Sequence, residues 1–160
     1  MDFQEIKQKA EQGDVDAQYN LGKIYRKGEN VAQDYKESAK WYHMAAEQGN
    51  VGAQINLGVM YRKGKGVTKD HKESVKWFTR AAKQGSMIAQ DNLAFIYAIG
   101  LGVPRDRVTA YMWYVIASAS GHRLAETEKN LIAKEMTETE IKMAKKRAEN
   151  CVKSNFKNCD

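Results

Sequence analysis

The sequence predicts an all-α protein built as a stack of helical hairpins, and three observations carry that reading. The first is a fixed period of 36 residues, marked by Gly13, Gly49, Gly85 and Gly121, by Ala17, Ala53, Ala89 and Ala125, and by Trp41, Trp77 and Trp113. A period of this length is the mark of a repeated two-helix unit that buries its apolar face only by stacking on its neighbours. The second is apolar residues at helical spacing inside every unit. The third is a capping residue at each helix start and a glycine after the first helix of each hairpin. About nine helices result, and no strand signal competes.

Taken in order, residues 1–12 read as an N-terminal cap helix, with Phe3, Ile6 and Ala10 on one face. Three repeats follow at 10–45, 46–81 and 82–117, and 118–160 holds a capping helix pair and a tail, all in one domain. The first helix of each repeat starts after Asp14, Asn50 or Ser86, each a good N-cap. Its buried stripe reads Ala17, Leu21, Ile24 and Tyr25 in the first repeat, and Ala53, Leu57, Met60 and Tyr61 in the second. Gly22, Gly58 and Ala94 flank that stripe, and their small size predicts close helix approach.

Gly28, Gly64 and Gly100 are expected just past the helix end with positive φ. Gly66 and Gly102 are matched by Asn30, which tolerates the same left-handed backbone. Asp34, Asp70 and Asp106 then open the second helix, with Glu37 and Glu73 at capping-box spacing. Its inward stripe is Ala39, Tyr42, Ala45 and Ala46. In the third repeat Met112, Val115 and Ile116 stand on the opposite face where the first two repeats have Lys40, His43 and Met44, or Lys76, Thr79 and Arg80, so either the C-terminal segment or a partner covers them. Beyond Gly121 the period fades; Leu124, Leu131 and Ile132 mark one helix, and Thr137 with Glu140 box the start of the last.

A chain of 160 residues with 42% hydrophobic and 29% charged residues is long enough for a core. No apolar run approaches the roughly 20 residues that cross a bilayer. The net charge of +6 is spread along the chain, which suits acidic partners in general and lacks a nucleic-acid footprint. His43, His71 and His122 lack metal-ligand spacing, and no HExxH, CxxC or phosphate-loop motif is present. The residues therefore point to a binding module that is not an enzyme and carries no cofactor.

In a stack of this kind the concave side is lined by the first helices. Opposite their buried stripes stand Tyr19, Lys23 and Arg26, then Ile55, Val59 and Arg62 bordered by Lys63, then Asp91 and Phe95. Such a surface is basic towards one end and apolar towards the other, and suits a protein or peptide with an acidic part and an apolar anchor. The basic residues also sit in last helical turns, where cations are favoured without any partner. Asn20, Asn56 and Asn92 form a second ladder, read as hydrogen bonds between units ahead of a peptide grip.

Cys151 and Cys159 are the two cysteines. On one continuous helix they would lie about 12 Å apart, beyond the roughly 7 Å that a bridge spans. A helix ending near Ser154 lets the tail fold back and the two meet. An even pair confined to the tail favours a disulfide over two free thiols, and with it an oxidising compartment.

The strings AEQGDVDAQYNLGKIYRKGENVAQDYKESAKWYHMA and AEQGNVGAQINLGVMYRKGKGVTKDHKESVKWFTRA closely resemble Sel1-like repeats, and the YMWY helix followed by MTETEIKMA resembles the end of many small bacterial members. The resemblance covers roughly residues 10 to 150. It implies a tetratricopeptide-related, right-handed α/α superhelix acting as a bacterial adaptor, monomeric, bound to another protein and not inserted in a membrane. It also implies an envelope setting, periplasmic or secreted for a mature form without its leader, and cytoplasmic if Met1 is the native start. The alternative within the family is a small-ligand-binding or hydrolytic envelope protein of the cysteine-rich type. Such members carry a cysteine pair in each repeat, and the repeats here carry none.

Overall fold

The computed structural model describes residues 2–159 and is all-helical over them, with nine α-helices and no strand. They are α1 (Phe3–Glu11), α2 (Val15–Lys27), α3 (Tyr35–Glu47), α4 (Val51–Lys63), α5 (His71–Lys83), α6 (Met87–Ile99), α7 (Arg107–Ala119), α8 (Arg123–Ala133) and α9 (Glu138–Lys153). The chain divides into two compact units, residues 1–77 and 78–160, and the division falls within α5.

Every helix start is fixed by local chemistry. Asp14, Asn50 and Ser86 each accept the backbone N–H three residues on, from Ala17, Ala53 and Ala89. His122 continues the series at the same period, its Nδ1 accepting the Ala125 N–H at 3.3 Å. Reciprocal capping boxes close α1, through Asp2 and Glu5, and α9, through Thr137 and Glu140. Asp34 and Asp70 take two backbone N–H groups each, without the return bond from Glu37 or Glu73 that would complete a box. Asp106 accepts from both the N–H and the hydroxyl of Thr109. Burial alone would push the Asp106 carboxyl up, but these bonds and the Arg147 charge outweigh it and hold it below the usual carboxylate range.

In the 1–77 unit two apolar clusters form the core. Ala10, Ala17, Leu21 and Trp41 meet Phe3, Ile6 and Tyr25; Tyr42, Ala46, Ala53, Leu57, Met60 and Trp77 make the second, with Tyr19, Tyr35 and Tyr61 against it. Ile24 and Tyr25, expected on the core stripe, are only half-buried. The small residues on the first helices admit close contact as expected: a Cβ on Gly22 would come 2.6 Å from Tyr42 Cδ1. The Gly22 and Gly58 carbonyls accept the buried Ser38 and Ser74 hydroxyls at 2.8 and 2.7 Å, locking each first helix to its second. The third hairpin has Ala94 and Ala110 at these positions, exchanging a hydrogen bond for apolar contact.

A further ladder escapes helical-face reasoning. Gln18 and Gln54 are buried and donate from Nε2 to the Ala10 and Ala46 carbonyls at 3.1 Å. These carbonyls lie in the last turn of the preceding helix, where acceptors lack intrahelical partners. Gln90 does the same for Ala82 within the 78–160 unit. The asparagine ladder behaves differently from its expectation. Asn56 and Asn92 bond back to the Gly52 and Ile88 carbonyls of their own helices, because four residues of helix bring the side chain over its own turn.

In the 78–160 unit α7 packs against α6, α8 and α9. Met112 and Ile116 are fully buried there, so the C-terminal helices cover most of the extra apolar face of α7. After α9 the backbone turns through Asn155 and Phe156, both at positive φ, and the tail folds back. A disulfide joins Cys151 to Cys159, and both are buried.

Candidate functional site

The candidate partner-contacting residues divide between the two units, and each unit presents its own surface. In the 1–77 unit, Tyr19, Lys23 and Arg26 follow one another at four- and three-residue steps on α2, and Ile55, Val59 and Arg62 do so on α4. That spacing puts each trio on one face. The two helices meet where the Tyr19 ring lies over Gly52, which leaves room for the ring because it has no side chain. Tyr19 also packs on Tyr42, with ring centroids 5.8 Å apart, and Lys23 Nζ sits 5.6 Å above the Tyr19 ring. Arg26 donates from Nε to the Tyr42 hydroxyl at 3.3 Å. Burial pushes that hydroxyl's pKa up, with the Arg26 hydrogen bond opposing.

Tyr19 is therefore engaged between the first two hairpins and Arg26 within the first, between α2 and α3. Of the remaining cations Lys63 is exposed and Lys23 and Arg62 are half-buried, and none of the three has an ion pair among the described residues. Ile55 and Val59 lie half-buried beside them.

In the 78–160 unit, Asp91 is turned towards the start of α8. Its Oδ1 lies 3.6 Å from His122 Nδ1 and is buried without a hydrogen bond. Burial pushes its carboxyl up, partly offset by His122. Asp91 is thus occupied within its own unit, whereas Phe95 stands 41% exposed one turn along α6.

The apolar part of this unit's surface extends further than the first three hairpins suggest. Leu131 on α8 is one period beyond Phe95 and is 50% exposed, and Ile99 on α6 is 52% exposed. Ile99, Leu131 and Ile132 wall a cavity of about 430 Å³ over Tyr114. Its rim carries Arg105, bonded to Glu135 at 2.7 Å and to the Ala98 carbonyl at 2.8 Å. Burial raises the Tyr114 hydroxyl far above its ordinary range, so it stays neutral under this apolar wall. The signal for Leu131 was its period from Phe95, hidden because the glycine and tryptophan markers stop before α8.

Among the described residues no three His, Cys, Asp or Glu side chains are placed to hold a metal ion, and no helix is long and apolar enough to cross a membrane. What the two surfaces offer is contact chemistry: cations, half-buried aliphatic side chains and one apolar cavity.

Comparison with known proteins places this geometry. The family model for the Sel1 repeat matches residues 15–50, 51–86 and 88–122. The chain belongs to the Sel1 repeat family. The matched spans begin at α2, α4 and α6, so each Sel1 repeat is one first helix, its loop and its second helix. Among solved structures, the chain is similar to a Sel1 repeat protein from Oxalobacter formigenes, with 41% identity over 79% of this chain and 96% of that one, at a TM-score of 0.73. It is also similar to c5321, a protective antigen present in uropathogenic Escherichia coli strains displaying an SLR fold. Identity there is 30% over 94% of this chain but only 41% of the antigen, at a TM-score of 0.72. No curated protein matches the chain. Sel1 repeat proteins generally mediate protein–protein interaction, and the fold typically serves as a non-catalytic scaffold.

Proposed function

We propose that this chain is a non-enzymatic adaptor that holds a protein segment on the first-helix faces of its Sel1 repeats. The observation that carries the reading is the open apolar cavity of the 78–160 unit, where Ile99 and Leu131 stay half-exposed over Tyr114. Aliphatic side chains left exposed beside a cavity gain most when a partner's side chain fills it. In the 1–77 unit Lys23, Arg62 and Lys63, without ion pairs among the described residues, favour an acidic stretch of the partner and speed its encounter. Cys151 and Cys159 are bonded to each other beyond the three matched repeats, unlike the cysteine pair in each repeat of the cysteine-rich type.

The test is affinity capture from a bacterial envelope extract with wild type, Leu131→Asp and Lys23→Glu/Arg62→Glu, quantified by mass spectrometry. A true partner is recovered with wild type and falls roughly tenfold or more with Leu131→Asp. The charge-reversal pair lowers recovery most at low salt. Equal recovery of every captured protein across the three baits would refute these faces as the contact sites.

The same disulfide supports placement in an oxidising compartment, periplasmic or secreted. Acid-quench trapping of thiols in intact cells checks it, and a reduced pool in growing cells overturns it.

A further inference from the structure

A second concavity of the 78–160 unit lies elsewhere, in an open trough of about 640 Å³ between α7, α8 and α9 that shares no residue with the Ile99–Leu131 cavity. Its floor is made by Tyr111, Val115, Ile116 and Ala119 of α7 with Ala148 and Val152 of α9. The preceding repeats have His43 and Thr79 at the position of Val115, and Glu47 and Lys83 at that of Ala119. The apolar residues here therefore do more than the repeat requires. Crossing α9 buries Met112 and Ile116 but leaves Val115 half-buried, Ala119 exposed and Val152 52% exposed.

The rim is cationic. Lys129 on α8 and Lys145 and Lys153 on α9 line the trough, against the single carboxylate of Glu149. Lys129 is mostly buried and held by Glu126 at 2.7 Å, whereas Lys153 meets Glu149 only at 3.8 Å at the surface, where such pairs hold weakly. Lys145 has no ion pair among the described residues.

We propose that this trough docks an acidic amphipathic helix of a protein partner, a second contact beyond the first-helix faces. Charge selects the sign of the occupant, and the distribution of charge selects its class. Lys145 and Lys153 are eight residues apart on α9, about 12 Å along its axis. One anionic head group of a lipid-like molecule reaches only one of them. A helix with carboxylates on both flanks of an aliphatic stripe reaches both while its side chains enter the trough, which is the usual helix-in-groove arrangement.

The experiment is fluorescence anisotropy with a labelled model peptide of about 18 residues, leucine at i, i+3, i+4 and i+7 positions and glutamate on the flanks. A matched peptide has lysine for every glutamate, and dodecanoate is titrated separately. The glutamate peptide binds, and Val152→Asp and Lys145→Glu, both exposed positions that leave the helical circular dichroism unchanged, each weaken it roughly tenfold. The lysine peptide does not bind, and Leu131→Asp leaves the affinity as it was. Equal binding of both peptides, indifference to Val152→Asp and Lys145→Glu, or loss on Leu131→Asp would each overturn the proposal. So would saturation by dodecanoate without binding of the peptide, which would make the trough a site for an anionic amphiphile. Because the Leu131 and Val152 variants separate the two surfaces, failure here leaves the adaptor reading of the first-helix faces standing.

Discussion

Replacing Gly66 by alanine is expected to lower the unfolding free energy by about 3 kcal/mol or more, out of proportion to one added methyl group. Two effects combine. Gly66 has φ 74°, a region where an L side chain costs about 1–2 kcal/mol. A Cβ there would also overlap the backbone carbonyl of Tyr35, the first residue of α3. That carbonyl cannot step aside, because Asp34 ties down the same turn through the Lys36 and Glu37 N–H groups. The control is Gly49→Ala in the same unit. Gly49 has φ 93° and nothing within 4 Å of an added Cβ, so only the conformational cost of about 1–2 kcal/mol remains. Thermal unfolding followed by circular dichroism checks the pair, with a drop of roughly 6–12 °C for Gly66→Ala and a few degrees for Gly49→Ala. Equal losses would mean that the loop relaxes away from Tyr35 and that its contact with α3 does not hold the hairpins in register.

The same position shows what could and could not be read from the sequence. Its left-handed backbone was legible, since Asn30, Gly66 and Gly102 recur at the period and have φ 61°, 74° and 76°. The reason why glycine stands at 66 was not, because it lies in a carbonyl of the preceding hairpin. The caps at Asp14, Asn50 and Ser86 and the helix-ending Gly28, Gly64 and Gly100 were legible for the opposite reason. Each acts on a backbone group within a few residues of itself.

The buried Gln18, Gln54 and Gln90 repeat as faithfully as the glycines, yet a long polar side chain reads as surface until the neighbouring helix supplies its acceptor. The candidate site divides along the same line. Helical spacing put Lys23, Arg62 and Phe95 on the faces they occupy. It could not show that Tyr19 is spent over Gly52, that Asp91 is drawn to His122, or that Leu131 of α8 joins Ile99 of α6 in the apolar surface of the 78–160 unit. Each depends on one specific contact between elements, and periodicity carries no information about partners across a contact.

Breaking the Cys151–Cys159 bond is expected to lower stability by about 2–3 kcal/mol, the loop-closure entropy of so short a ring in the unfolded chain. The bridge closes a turn that is itself well made. Ser154 ends α9, its hydroxyl donates to the Cys151 carbonyl and accepts the Asn158 N–H, and the Phe156 N–H bonds the Cys151 carbonyl at 2.8 Å. Phe156 reaches Gly85, with its Cε2 3.5 Å from where a Cβ would stand, and Cys159 lines a small cavity with Leu93, Trp113 and Arg147. The tail thus packs against the Gly85 turn and beside α6 and α7, and the disulfide keeps it there. Two perturbations separate bond from side chain: reduction of the wild type, and Cys151→Ala/Cys159→Ala. Both should lower the melting temperature by roughly 5–10 °C, leave the helical circular dichroism intact and expose the chain to proteolysis near Lys157. A loss below about 0.5 kcal/mol in the reduced protein would show that Phe156 and the turn hold the tail unaided. A large loss in the double alanine variant alone would assign the stability to the buried sulfur atoms as filler and not to their bond.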